Sequence, residues 1–211
     1  MLSNELNQYI EDHTSSENEV LYELQRQTNL KILYPRMISG PVQGKFLEMI
    51  SYMIQPKNVL EVGTYTGYSA ICFAKGLSKT GQLHTIELNP ELCDFASKYF
   101  KKAGVSEKIV QHIGNALDII PQLDKQWDLV FLDADKENYL NYYKLVFEKV
   151  RKGGFILADN VLWDGKVLNP TANSDKETKG IVEFNNFIKN DDRVENLLLS
   201  IRDGVMVLRK L

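Results

Sequence analysis

From residue 58 onward, short apolar runs alternate with stretches of helical periodicity. The runs fall at 58–62, 82–87, 109–113, 127–132 and 155–158. Between them, 68–77, 91–103, 116–123 and 139–150 carry apolar side chains at three- and four-residue spacing. Such alternation predicts a parallel sheet with helices on both faces, because parallel strands buried on both sides read as continuous apolar runs. Two further runs, 197–201 and 205–208, flank Arg202-Asp203-Gly204. Asp-Gly is a hairpin signal, so the sheet is expected to finish with an antiparallel pair. Residues 1–55 read as helical: Leu2, Leu6, Tyr9 and Ile10 lie at helical spacing, as do Val20, Leu21 and Leu24. Pro35 interrupts, Gln43–Ile50 resumes, and Pro56 ends the pattern. The polar stretch 169–180 reads as a surface loop near a site.

The fold class is therefore α/β, a doubly wound, mostly parallel seven-stranded sheet with a C-terminal hairpin and N-terminal helices. At 211 residues the chain reads as one domain, with 1–55 as a helical extension over an α/β core from 56 to 211. A net charge of −3 without a basic stripe argues against a nucleic-acid partner. No apolar run reaches the roughly 18–20 residues that span a bilayer, and the polar N-terminus lacks a secretory pattern. Cys72 and Cys93 sit in helical patterns among apolar neighbours, as small buried thiols do, so a reducing, cytoplasmic setting is expected.

Chemistry concentrates at the carboxyl ends of the expected strands, where open α/β sheets bind ligands. The first strand runs into Glu61-Val62-Gly63-Thr64-Tyr65-Thr66-Gly67-Tyr68-Ser69. A glycine turn there lets backbone approach a ligand, yet Tyr65 stands where a dinucleotide fingerprint needs its second glycine. The turn therefore suits a ligand without pyrophosphate. Glu87 follows Gly63 by 24 residues and ends the second run, as an acid does that accepts from a ribose diol. Turn and acid together point to S-adenosylmethionine. Glu61, near the end of a buried strand, needs a cationic or hydrogen-bonding partner, and the cofactor's ammonium would serve.

Asp133 follows the fourth run, and Asp159-Asn160 follows the fifth. These oxygen donors suit a hard cation, Mg²⁺ or else Mn²⁺ or Ca²⁺, with about three coordination positions left for water and substrate. The alternative is that the acids are solvated or cap the following helices. Lys136, beside a cation, would have its amine form favoured and could act as a general base.

These motifs resemble the divalent-cation-dependent, S-adenosylmethionine-dependent O-methyltransferases, the caffeoyl-coenzyme A and catechol O-methyltransferase group with its bacterial relatives. The resemblance runs from about Leu30 to the C-terminus, through the Glu61–Ser69 turn, Asp133-Ala134-Asp135-Lys136-Glu137-Asn138-Tyr139, and Asp159-Asn160-Val161-Leu162-Trp163-Asp164-Gly165. It implies that Asp133, Asp159 and Asn160 hold the metal and that Lys136 is the base, with Asp133 and Asn160 beside it in the catalytic set. It implies cofactor contacts at Met37, Ser39, Glu61, Gly63, Tyr65, Ser69, Glu87, Ala116, Asp133 and Asp135. Trp163 and Lys136 would meet the acceptor, a small vicinal-dihydroxy phenol, and the chain would form a homodimer. Gln43 stands where plant members commonly carry an acid, and 169–176 departs from the plant substrate loop. A free catechol is accordingly favoured over a coenzyme A thioester. The competing reading is a non-catalytic S-adenosylmethionine-binding protein that keeps the pocket.

Overall fold

The structure, a computed structural model, describes residues 3–171 and 174–211. Leu2 of the first helical pattern, and Ala172 and Asn173 of the polar loop, lie outside the described residues. Seven strands form one sheet: β1 (Asn58–Val62), β2 (Gln82–Glu87), β3 (Ile109–Ile113), β4 (Trp127–Leu132), β5 (Val150–Asp159), β6 (Val194–Leu199) and β7 (Val205–Lys210). Their order is β3-β2-β1-β4-β5-β7-β6. The pairs β1–β4, β2–β3 and β4–β5 are parallel, and β7 runs antiparallel to both β5 and β6. Chain contacts divide the protein into two compact units.

The first unit comprises the chain up to Lys57 together with Thr64–Gly114. It holds α1 (Asn4–Asp12), α2 (Glu19–Lys31), α3 (Gly40–Ile54), α4 (Tyr68–Gly76) and α5 (Glu91–Lys102), with β2 and β3. The N-terminal helical stretch is three helices and a short 3-10 turn, Pro35–Met37, which falls where Pro35 interrupts the pattern. Ser3 and Asn18 each cap a helix by accepting a backbone N–H three residues on, which satisfies donors the first turn leaves open. Cys72 and Cys93 are buried free thiols on α4 and α5.

The second unit comprises Asn58–Gly63 and Asn115–Leu211. It holds β1, β4–β7, α6 (Ala116–Gln122), α7 (Tyr139–Phe147) and α8 (Lys176–Lys189). Trp127 and the run Leu129–Leu132 are fully buried, as expected of a strand covered on both faces. The fifth strand starts five residues earlier than the 155–158 run, because Val150 already pairs with Trp127 ahead of a register shift. That early start cuts α7 to Phe147, short of the expected 150.

Two expectations need correction. The stretch 169–180 is not loop throughout: Asp175 caps α8 by accepting the Thr178 N–H, so Lys176–Gly180 is helical. Polarity misled there, since the first turn of a surface helix is polar while Ile181, Phe184 and Ile188 carry its buried face. The hairpin is antiparallel as expected, but β6 runs from Val194 to Leu199 and Ser200–Gly204 forms the link. Its positive φ values fall on Arg202 and Gly204 rather than on an Asp203-Gly204 pair.

Candidate active site

In the second unit the strand register gathers the acids. Leu132 pairs with Ala158, so the next residues, Asp133 and Asp159, end adjacent parallel strands side by side. Val62 pairs with Leu132, and the Asp133 N–H donates to the Val62 carbonyl, 2.9 Å away. Gly63 follows at φ +104°, and a Cβ there would collide with the Asp133 carbonyl oxygen. Glycine is therefore required by close backbone approach as well as by conformation.

Lys136 lies in the short 3-10 turn that leads into α7 and is 6% exposed. Its Nζ donates to Asp133 Oδ1 at 3.0 Å and to the Tyr139 hydroxyl at 2.7 Å. That hydroxyl lies 3.0 Å from both the Leu132 and Asp159 carbonyl oxygens, either of which can accept its proton. A phenol has one proton, so it gives that proton to a carbonyl and offers a lone pair to Lys136. Tyr139 thereby ties the ends of β4 and β5 to the lysine. Burial first, then the charges of Asp133 and Asp159, hold its phenol well above the usual range, so it stays protonated. In the sequence Tyr139 stands as a helix start and as the last residue of the Asp133–Tyr139 motif, with no role of its own. The spacing 133, 136, 139 was the available signal, since residues three apart share one side of a helical turn.

Asp159 is 2% exposed, and its Oδ1 accepts the Asn160 N–H at 2.8 Å. Asn160 adopts φ +57°, a left-handed conformation that asparagine tolerates better than most residues. Trp163 is half-buried, and its indole N–H is buried without a hydrogen-bond partner among the described residues. Asp135 spends its two oxygens internally, on the Tyr142 hydroxyl and the Asn138 amide. Glu61 is fully buried on β1, and Ala116 opens α6 behind the capping side chain of Asn115.

The hard-oxygen set Asp133, Asp159 and Asn160 suits a divalent cation in its chemistry. One Asp133 oxygen takes the lysine, and the other makes no hydrogen bond among the described residues. No group of three or more His, Cys, Asp or Glu that could hold a metal occurs among the described residues. The set here contains two acids and one amide.

In the first unit, Glu87 ends β2. Its Oε2 accepts the Tyr65 N–H at 2.7 Å and its Oε1 accepts the Asn89 N–H at 2.9 Å. Tyr65 sits at φ +49° and its hydroxyl reaches the Leu33 and Tyr34 carbonyls, each at 3.3 Å. Burial raises its phenol pKa. Ser69 is buried in the first turn of α4. Ser39 is buried at the start of α3, whereas Met37 is 57% exposed on the preceding turn.

The sheet order, with its antiparallel seventh strand, and the strand-end acids define a Rossmann-like methyltransferase. Comparison with known proteins narrows this. The profile of the O-methyltransferase family matches residues 11–211, and the chain belongs to that family. Caffeoyl-CoA O-methyltransferase of Medicago sativa is 34% identical over 206 residues, covering 92% of this chain and 83% of that protein. Catechol O-methyltransferase of Niastella koreensis is 36% identical over 171 residues, covering 79% and 77%. The crystal structure of the O-methyltransferase from Bacillus cereus in complex with SAH superposes with TM-score 0.90 at 30% identity, covering 98% of this chain and 97% of that one. The chain is an S-adenosylmethionine-dependent O-methyltransferase of the caffeoyl-CoA and catechol type.

Proposed function

We propose that this enzyme methylates one hydroxyl of a small vicinal-dihydroxy phenol and that it requires a divalent cation, Mg²⁺ in the first instance. The observation that carries the reading is Lys136, buried and bonded to Asp133 and Tyr139 where β4 and β5 end. Asp133, Asp159 and Asn160 would hold the cation. Glu87 would accept from the ribose hydroxyls, Glu61, Gly63 and Ser69 would meet the methionyl part, and Ala116 and Asp135 the adenine side. Met37, Ser39 and Tyr65 complete the cofactor contacts, and Trp163 lines the acceptor.

S-adenosylmethionine supplies an electrophilic methyl on sulfur, and a bound cation supplies charge that favours the phenolate form of the acceptor. With a cation bound beside it, which favours the neutral form of a lysine, Lys136 would take the acceptor's hydroxyl proton on Nζ. Tyr139 and Asp133 fix that nitrogen from two sides, so the proton is received at one place. Held by Glu61, Gly63, Ser69 and Glu87, the cofactor would supply its methyl to the acceptor oxygen, the electron pair of the C–S bond staying on sulfur as the O–C bond forms. No covalent enzyme intermediate is needed, so positioning dominates. Exposed Leu6, Tyr9 and Tyr22 on α1 and α2 favour a homodimer, which light scattering tests. None of the helices among the described residues is long and apolar enough to cross a membrane.

The test is methyl transfer from labelled S-adenosylmethionine to caffeic acid, with Mg²⁺ and with EDTA. Activity lost in EDTA and restored by Mg²⁺ is the expected result. Activity indifferent to EDTA would remove the cation from the reading, and transfer to no catechol across an acceptor panel would remove the substrate class.

A further inference from the structure

The segment after Asn160 has an unusual backbone. Trp163, Asp164 and Gly165 lie consecutively at φ +47°, +52° and +76°, and Asn160 is also left-handed. L-residues, a tryptophan above all, enter this region only where the surroundings hold them there. The surroundings are the β6–β7 link. The Asp203 side chain accepts the Asp164 N–H at 2.7 Å. The Asp203 carbonyl accepts the Leu162 N–H at 2.9 Å, and the Gly204 carbonyl accepts the Val161 N–H at 3.2 Å. Gly204 packs so closely that a Cβ would lie 2.5 Å from Leu162 Cγ.

We propose that Asp203 is a positioning residue for the acceptor: its carboxylate pins the left-handed Trp163–Asp164 turn and so sets where the Trp163 ring stands. The proposal rests on the reading of Trp163 as an acceptor-lining residue. Of the three contacts, only the one at Asp164 is made by a side chain, so it alone can be removed without altering the main chain. Burial raises the Asp203 carboxyl pKa, and the Asp164 N–H and the Lys136 charge oppose that shift. The same group thus feels the lysine, which makes it necessary to separate hydrogen bond from charge.

Asp203→Asn and Asp203→Ala do so. Both remove the charge, but the amide oxygen introduced by Asp203→Asn can still accept the Asp164 N–H. The chain has two tryptophans, so 5-fluorotryptophan labelling gives two ¹⁹F lines, assigned with Trp163→Phe. Asp203→Ala is expected to shift or broaden the Trp163 line, leave the Trp127 line in place, and raise KM for caffeic acid about tenfold, the size of one net hydrogen bond. It should change kcat and S-adenosylmethionine affinity by less than about twofold. Asp203→Asn is expected to restore both readouts. An unmoved Trp163 line in Asp203→Ala overturns the proposal. So does an Asp203→Asn variant as impaired as Asp203→Ala, which would assign the effect to charge. If Asp203→Ala does not fold, Gly204→Ala strains the same clamp from its other side and must move the same line. Because the ¹⁹F line needs no turnover, absent transfer to caffeic acid would count against the substrate reading alone.

Discussion

Two strand-end carboxylates are held in opposite ways. Glu87, after β2, receives backbone N–H groups on both oxygens. Asp133, after β4, receives the side chain of Lys136 on one. Backbone donors are fixed by the fold, so Glu87 is a rigid acceptor, suited to binding without change. A side-chain donor can turn, release or accept a proton, so the Asp133 site is suited to chemistry. On the proposed reading the first region binds and the second reacts, and substitutions can break that assignment.

Lys136→Ala is expected to have the largest effect. It removes the group assigned to proton transfer, and kcat should fall about 10²–10⁴-fold. S-adenosylmethionine affinity, read by calorimetry, should stay within about twofold. Equal loss of both would erase the distinction between the two regions.

Glu87→Gln tests the other half. The amide would set an NH₂ against either the Tyr65 or the Asn89 N–H, and on the proposed reading it would replace charged hydrogen bonds to the cofactor by neutral ones. Hydrogen bonds to charged groups contribute about 1.5–3 kcal/mol, so S-adenosylmethionine should bind about 10- to 100-fold more weakly. With saturating cofactor, kcat should recover to near the parent value. A kcat that stays low would place Glu87 in the chemistry after all.

Gly180→Ala probes how the lysine is seated. A Cβ on Gly180 would collide with the Lys136 carbonyl oxygen and crowd the Glu137 backbone. Over-packing of this kind costs about 1–3 kcal/mol. The expected outcome is a Tm lower by several degrees and a kcat about tenfold lower, with cofactor affinity unchanged. A lower Tm with full kcat would show that Lys136 tolerates displacement.

This contact also shows where sequence reading stops. The five parallel-sheet strands, the glycine turn, Glu87 and the 133–136 and 159–160 clusters were legible, because each is a local pattern: an apolar run, or polar residues just past its end. Gly180 was not. Its need for a missing side chain arises from a backbone 44 positions earlier. Helix α8 was hidden for the same reason, since Phe184 earns its place by packing edge-on against Tyr139 at 5.6 Å. Asp203 read as turn chemistry alone, because nothing local indicates that its carboxylate serves Asp164. The sequence offers donors and acceptors; which ones meet across the fold is decided by register.

Asp191 sharpens the comparison at its smallest scale, as a carboxylate held by two side chains and one backbone N–H, that of Arg193, and outside the proposed chemistry. Arg193 Nη2 donates to it at 2.7 Å and the Tyr143 hydroxyl at 2.8 Å. The Arg193 guanidinium, mainly, holds its pKa down at about 2, against burial, which opposes the shift. A depressed folded-state value means that the unfolded chain takes up the proton first as pH falls. The stabilisation is therefore present above about pH 4 and is lost between there and about pH 2. Arg193 is half-exposed, so solvent screening limits the contribution to about 1 kcal/mol. Asp191→Asn should lower stability by that amount at pH 7 and lose less than the parent on acidification, as urea unfolding at pH 7, 5 and 3 would show. Parallel pH profiles for the two proteins would mean that Arg193 and Tyr143 position Asp191 without stabilising its charge. In that case a side-chain partner at 3 Å, as at Asp133, would be evidence of geometry only, and the case for a reactive Lys136 would rest on its kinetics alone.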